Sequence, residues 1–262
     1  MKTKRLAAIL ALSGVVFCGP LRADLPGTIA KVKPSVVMVG TFKATNSPRF
    51  TLLGTGFVVS QAGNTRSNLV ITNAHVLTQS AEADPEATVV VQVRSGPDEV
   101  KMHPSVLLEV DRQHDLALLR FDGPAVAALG VGNSDAVQEG QAIAFTGFPI
   151  GGALGYSPVT HRGMVSSITN AALPMAAARG LNERTIRSLR GGNFSIFQLD
   201  GTAYPGNSGG PMFDLETGAI LGVVNMVLIK GTHESALSAP SGISYAIPSK
   251  YIVSLLQQHP AQ

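Results

Sequence analysis

One cysteine, no tryptophan and few charges narrow the chemistry of this 262-residue chain before any motif is read. The lone cysteine is Cys18, so neither an internal disulfide nor a site of several thiolates can form. Charged residues make up 14% and aromatic residues 5%, against 45% hydrophobic. So little charge with so much apolar content excludes a disordered chain. Long hydrophobic runs are missing too. The run from Leu6 to Phe17 falls short of the roughly 20 residues that a membrane helix needs. No later segment offers a span.

That N-terminal run has another reading. Lys2, Lys4 and Arg5 precede it and a small-residue site at Ala23 follows it, so residues 1–23 are expected to be an export signal. The product would begin at Asp24 and reside in the periplasm or the medium. A rival reading has a lipid on Cys18, although Phe17 is bulky where lipoprotein sites favour small residues. Residues 1–23 hold four basic side chains and no acidic one. Cleavage therefore turns a formal charge of +3 into −1, and the precursor's pI of about 9.1 is no argument for nucleic acid. It also removes the only cysteine.

Glycine, by contrast, is abundant at 28 residues. It punctuates short runs of β-branched and aromatic residues: "SVVMVGTF", "GTGFVVS", "NLVITNAHVL", "ATVVVQVR", "SVLLEV" and "LALLRF", then "QAIAFTGFP", "HRGMVSSI", "FSIFQLDG", "AILGVVNMVLI" and "GISYAIP". Many short strands bounded by turn residues predict an all-β protein rather than alternating βα units. The alternation lapses near 122–138, so a connector is placed there with one barrel on either side. Residues 24–130 form the first unit and 131–262 the second. Helix is expected only near the ends, at Leu25–Val32 and at Pro248–Gln257, the latter opened by its proline. Ala171–Asn193 reads as a long loop carrying Arg179, Arg184, Arg187 and Arg190.

"GNSGGP", Gly206 to Pro211, sets one serine among glycines. A serine hydroxyl needs a base to become a nucleophile at neutral pH. Of six histidines, His75 stands out, because the β-run "LVITNAH" delivers it to a strand end. His103, His161, His233 and His259 read as turn, loop or tail residues. An imidazole base needs an acid at Nδ1 to set its tautomer. Asp115, directly before the apolar "LALLRF", fits that role, with Asp111 as the competitor. His114 is set aside because adjacent strand residues face opposite ways. The order His75, Asp115, Ser208 is the one found on paired β-barrels.

"TNAHVL", "HDLALLR" and "YPGNSGGPMF" together resemble the three catalytic segments of chymotrypsin-fold serine endopeptidases, and most closely the HtrA/Deg-type branch. The resemblance spans nearly all of residues 25–255. It implies two six-stranded antiparallel β-barrels with the active site in the cleft between them. It also implies His75 as base, Asp115 as its orienter, Ser208 as nucleophile, and the N–H groups of Gly206 and Ser208 as the oxyanion hole. No cofactor or metal is called for.

Asn207 stands where zymogen-activated relatives carry an aspartate, so no activation by a new N-terminus is expected; control would act through the loop Asp200–Pro205. Thr202 stands where trypsin-like relatives carry their pocket aspartate, which argues against cleavage after basic residues. The resemblance suggests small or medium aliphatic residues, with walls from Thr202, Ala203, Tyr204 and Ser244. Val224, Asn225 and Met226 are expected to offer an edge for an added substrate strand. The chain stops at Gln262, where relatives continue into peptide-binding PDZ domains, so a protease domain without one is expected. The implied partner is a protein or peptide, including unfolded ones. The trimer common in that family has no identifiable contacts in this sequence. The competing class is a binding or chaperone module on the same fold, with latent catalysis.

Overall fold

A computed structural model describes residues 24–60, 64–96, 99–150, 156–170, 194–225 and 242–259. The chain opens with helix α1 (Leu25–Val32), whose first turn Asp24 caps through a hydrogen bond from the Gly27 N–H. Strands β1 (Val36–Phe42), β2 (Phe50–Val59), β4 (Leu69–Asn73), β5 (Thr88–Arg94), β6 (Val100–Asp111) and β7 (Leu116–Phe121) close into a first barrel, ordered β1-β2-β4-β7-β6-β5. Strands β3 (Arg66–Ser67) and β8 (Val126–Ala127) pair separately. The second barrel joins β9 (Ala142–Gly147), β10 (Val159–Asn170), β11 (Ser195–Asp200), β12 (Pro211–Asp214), β13 (Ile220–Asn225) and β14 (Ile243–Pro248), in the order β10-β11-β14-β13-β12-β9. All pairings within both barrels are antiparallel, as the sequence pattern and the family resemblance imply.

The apolar runs are continuous rather than alternating because the strands near the seam bury both faces. In β1, Val37 and Val39 fill the first barrel while Val36 and Met38 face a second cluster that also holds Ala144, Phe213 and Ile220 of the other barrel. In β7, Ala117 and Leu119 turn inward while Leu116 and Leu118 join the shared cluster. The second barrel has its own core, including Phe145, Phe197, Leu199 and Met212. Phe57 is fully buried in the shared cluster. Phe57→Ala is expected to cost about 3–5 kcal/mol of folding stability, read by chemical denaturation, since both barrels would border the cavity.

Two helix expectations are corrected. Helix is not confined to the ends: α2 (Ala74–Ala83) starts directly after β4 and contains His75. The C-terminal helix α3 runs Lys250–Gln257 with Ser249 at its N-cap. Pro248 ends β14, paired with Gly222, and does not open the helix. The signal segment with Cys18, and the arginine-bearing stretch 171–193, lie outside the described residues.

Candidate active site

The site begins at the β4–α2 junction. The first N–H groups of a helix lack partners within it and need acceptors from elsewhere. Here Asp115 supplies them, from the turn before β7. Its carbonyl oxygen accepts the Ala74 N–H at 3.1 Å and the Asn73 side-chain amide at 3.0 Å. Its carboxylate Oδ1 accepts the His75 N–H at 2.8 Å. The other oxygen, Oδ2, lies 2.6 Å from His75 Nδ1 and accepts the Asn225 Nδ2–H at 2.7 Å. Because an ionised carboxylate only accepts, Nδ1 carries the ring proton and Nε2 keeps its lone pair. The positive end of α2 also favours that negative charge.

Asp115 reaches this position through a left-handed backbone, φ 52°, at which aspartate is one of the more tolerant residues. Asp111, the competing acid, pairs with a different imidazole. Its Oδ2 lies 2.6 Å from His114 Nδ1, and its Oδ1 accepts the backbone N–H groups of Gln113 and His114. Burial raises the Asp111 carboxyl, but the His114 side chain and these backbone bonds outweigh it and hold the group below the ordinary carboxylate range. His114 stacks on Tyr251 at 3.8 Å and meets Phe194 edge-on at 4.9 Å. Its separation from Asp115 arises in a turn, not through strand alternation.

The Ser208 turn is built against the first barrel. Ser208 is buried, and its carbonyl oxygen accepts the Thr55 N–H at 2.9 Å. Gly209, at φ 83°, has no room for a side chain between the Thr55 carbonyl and Thr72 Oγ1. Gly54 is similarly confined, since a β-carbon there would lie 2.8 Å from Val76 and 3.0 Å from the Ser208 carbonyl oxygen. The serine, histidine and aspartate segments thus converge at the seam between the barrels. Gly206 takes φ 99° and lies against the Phe148 carbonyl. The Pro205 carbonyl accepts the Ile150 N–H at 2.7 Å. Since a peptide unit is planar and trans, the Gly206 N–H points the opposite way. Asn207 is fully buried, and neither of its amide atoms has a hydrogen-bond partner among the described residues.

Several expected pocket residues have other work. Val224 is core: it packs inside the second barrel, its carbonyl accepts the Gly209 N–H and its N–H donates to the Gly210 carbonyl. It is therefore no open strand edge. The Asn225 side chain goes to Asp115. Ser244 is fully buried, and its hydroxyl donates to the Gly201 carbonyl at 2.6 Å and accepts the Ala203 N–H at 2.8 Å. It braces the 201–203 loop from behind. Ala203 is buried in the barrel core, while Thr202 and Tyr204 are half-buried. Met226 and His233 lie outside the described residues. Among the described residues there is no cluster of potential metal ligands, and no helix is long and apolar enough to cross a membrane.

Sequence reading placed His161 in a polar turn, yet it is part of β10, paired with Phe145 and stacked on its ring at 5.0 Å. The odd positions Val159, His161, Gly163 and Val165 share one face, and that alternation was the missed signal. Tyr204 lies 6.0 Å from the ring, and Nε2 is buried without a partner among the described residues. Burial holds this imidazole below its ordinary value. The unfolded chain therefore binds the extra proton first as pH falls below about 6.5, and stability present above that value declines toward the folded protein's lower one. The thermal midpoint should fall between pH 7 and pH 5, and His161→Phe should flatten that fall. For Asp111 and Asp214, hydrogen bonds outweigh the rise due to burial and hold both carboxyls low, so their share is lost only below about pH 4.

A model of the trypsin-like peptidase domain matches residues 54–223, well over half the chain. The chain belongs to the trypsin-like peptidase family. Among curated relatives, this chain is 29% identical over 209 residues to the mitochondrial serine protease HTRA2 of Drosophila grimshawi, covering 80% of its own length and 39% of that protein's. It is equally identical over 207 residues to a probable periplasmic DegP-like serine endoprotease of Marinomonas sp. (strain MWYL1), covering 79% and 35%. Among solved structures, the HtrA-type protease AlgW with decapeptide superposes with a TM-score of 0.63 at 22% identity, covering 90% of this chain and 67% of that one. The HtrA-type resemblance and the two-barrel fold are borne out. The chain spans about two-fifths of the length of these curated relatives.

Proposed function

We propose that the protein is a serine endopeptidase in which Ser208 Oγ attacks the peptide carbonyl while His75 Nε2 takes its proton. Asp115 keeps the imidazole in the required tautomer and stabilises the imidazolium. The Gly206 and Ser208 N–H groups receive the developing oxyanion. His75 then returns the proton to the leaving amine, the C–N bond breaks, and an ester on Ser208 remains. Water, deprotonated by His75, releases the acid. The observation that carries this reading is the 2.6 Å contact between His75 Nδ1 and Asp115 Oδ2, made at the seam against which the Ser208 turn is packed.

The substrate is a protein or peptide. Two HtrA-type neighbours are described with a tripeptide and a decapeptide, in line with an extended chain in the cleft. Thr202 brings no charge to the primary pocket, so cleavage follows small or medium aliphatic residues, with Thr202, Ala203 and Tyr204 around the pocket and Ser244 bracing it. Residues 1–23 direct export, residues 24–130 carry His75 and Asp115, and residues 131–262 carry Ser208. The role is processing or quality control of exported proteins. The test combines a fluorophosphonate probe with cleavage-site profiling in a denatured protein mixture. Labelling confined to Ser208 and cuts after valine or alanine are expected. A protein that neither labels nor cuts, yet holds unfolded clients, would be a binding module instead.

A further inference from the structure

The "GTG" in β2 has a function that its position in a strand does not require. β2 pairs with β1 along Phe50–Phe57 but with β4 only from Phe57 onward, so one edge of Thr55 is left outside the β2–β4 ladder. The nucleophile turn fills that edge. Thr55 is fully buried, its N–H donates to the Ser208 carbonyl at 2.9 Å, and its carbonyl accepts the Thr72 hydroxyl at 2.7 Å. Its own hydroxyl is used twice. It donates to the Gly206 carbonyl at 2.6 Å and accepts the Phe148 N–H at 3.0 Å.

These bonds hold both carbonyls that border Gly206. Ile150 holds the Pro205 carbonyl from the turn after β9, and Thr55 holds the Gly206 carbonyl from the first barrel. Glycine has no side chain to bar a rotation of either peptide, and a half-turn of the Pro205–Gly206 peptide would put the Pro205 carbonyl oxygen where the Gly206 N–H points. Only a group that both donates and accepts can satisfy the Gly206 carbonyl and the Phe148 N–H together, and a hydroxyl does.

We propose that Thr55 is a positioning residue of the oxyanion hole: its hydroxyl ties the first barrel to the Gly206–Asn207 peptide and so fixes the Cα side of Gly206, while Ile150 holds the adjoining Pro205–Gly206 peptide, and the two together aim the Gly206 N–H at the transition state. This rests on the reading that the Gly206 and Ser208 amides receive the oxyanion. Thr55 itself touches no reacting atom.

Thr55→Val keeps the shape and removes both bonds. It should lower kcat about ten- to a hundredfold with KM within about threefold, the pattern of an interaction made only in the transition state. Affinity for a peptide aldehyde, which binds as an oxyanion adduct, should fall by the same factor as kcat. Affinity for the matching carboxylic-acid product should hold. Thr55→Ser, which keeps the hydroxyl, should restore most of kcat. Thr55→Ala, which leaves room for water at the two polar groups, serves if the valine variant does not fold. The proposal is overturned by a folded valine or alanine variant with wild-type kcat, by a serine variant as impaired as those, or by a kcat loss with unchanged aldehyde affinity. A wild-type protein without Ser208-dependent hydrolysis would instead remove the underlying reading.

Discussion

Ser208→Ala is expected to lower kcat by roughly a millionfold, the scale seen when a triad serine is removed elsewhere. Alanine leaves the turn intact, because what holds Ser208 is backbone: its carbonyl on the Thr55 N–H, and Gly209 bonded to Val224. Without Oγ there is no ester, so no acyl-enzyme burst and no fluorophosphonate adduct should appear. Residual hydrolysis comes only from water near the oxyanion donors. Single-turnover assays against a peptide substrate, with thermal unfolding as the folding control, measure this. A well-folded variant within about a hundredfold of wild type would place the nucleophile elsewhere.

Asp115→Asn should cost about ten-thousandfold in kcat while the protein stays folded. Asparagine also tolerates the left-handed conformation required at 115, so the turn before β7 survives. The carboxylate, however, accepts three N–H groups: the His75 backbone and ring on its two oxygens, and Asn225 from the other barrel. A carboxamide has one oxygen, and its NH2 must face donors on the other side. Turning that NH2 toward the ring makes Nδ1 the acceptor and puts the proton on Nε2, where it blocks the Ser208 proton. Turning it the other way leaves the His75 N–H opposed. The measurement is kcat against pH for the variant and the wild type. A loss below tenfold would remove Asp115 from the role.

Much of the fold was legible in the residues. "LALLRF" is β7 from end to end, and Leu25–Val32 is α1 as expected. β12 went unread because it is four residues long and begins with proline right after the Ser208 turn. β6 runs through His103–Pro104, which read as a break. The proline fits because β6 pairs only β5 at Val100–Pro104, and β7 joins from Ser105. Helix α2 was missed because "NLVITNAHVL" reads as one apolar-rich β-run, and periodicity alone cannot locate the switch from strand to helix inside it.

Two decisions lay outside the reach of local pattern. Asp111 and Asp115 are both short acids beside the same histidine-containing turn, and nothing in their neighbours ranks them conclusively. The choice is made by a left-handed backbone at 115 and by donors 40 and 110 residues away, at His75 and Asn225. The hydroxyl of Thr55 meets Gly206 from 151 residues away.

Residue order determined the β class of this protein, most of its strand positions and which serine and histidine it offers as candidate nucleophile and base, because alternation, turn residues and side-chain chemistry are properties of a few neighbours. The tertiary structure alone decided which carboxylate serves His75, that Asn225 supports it, and what Val224 and Ser244 brace, because a hydrogen bond depends on ångström-scale distance and direction. Those are set only when two barrels close on one another.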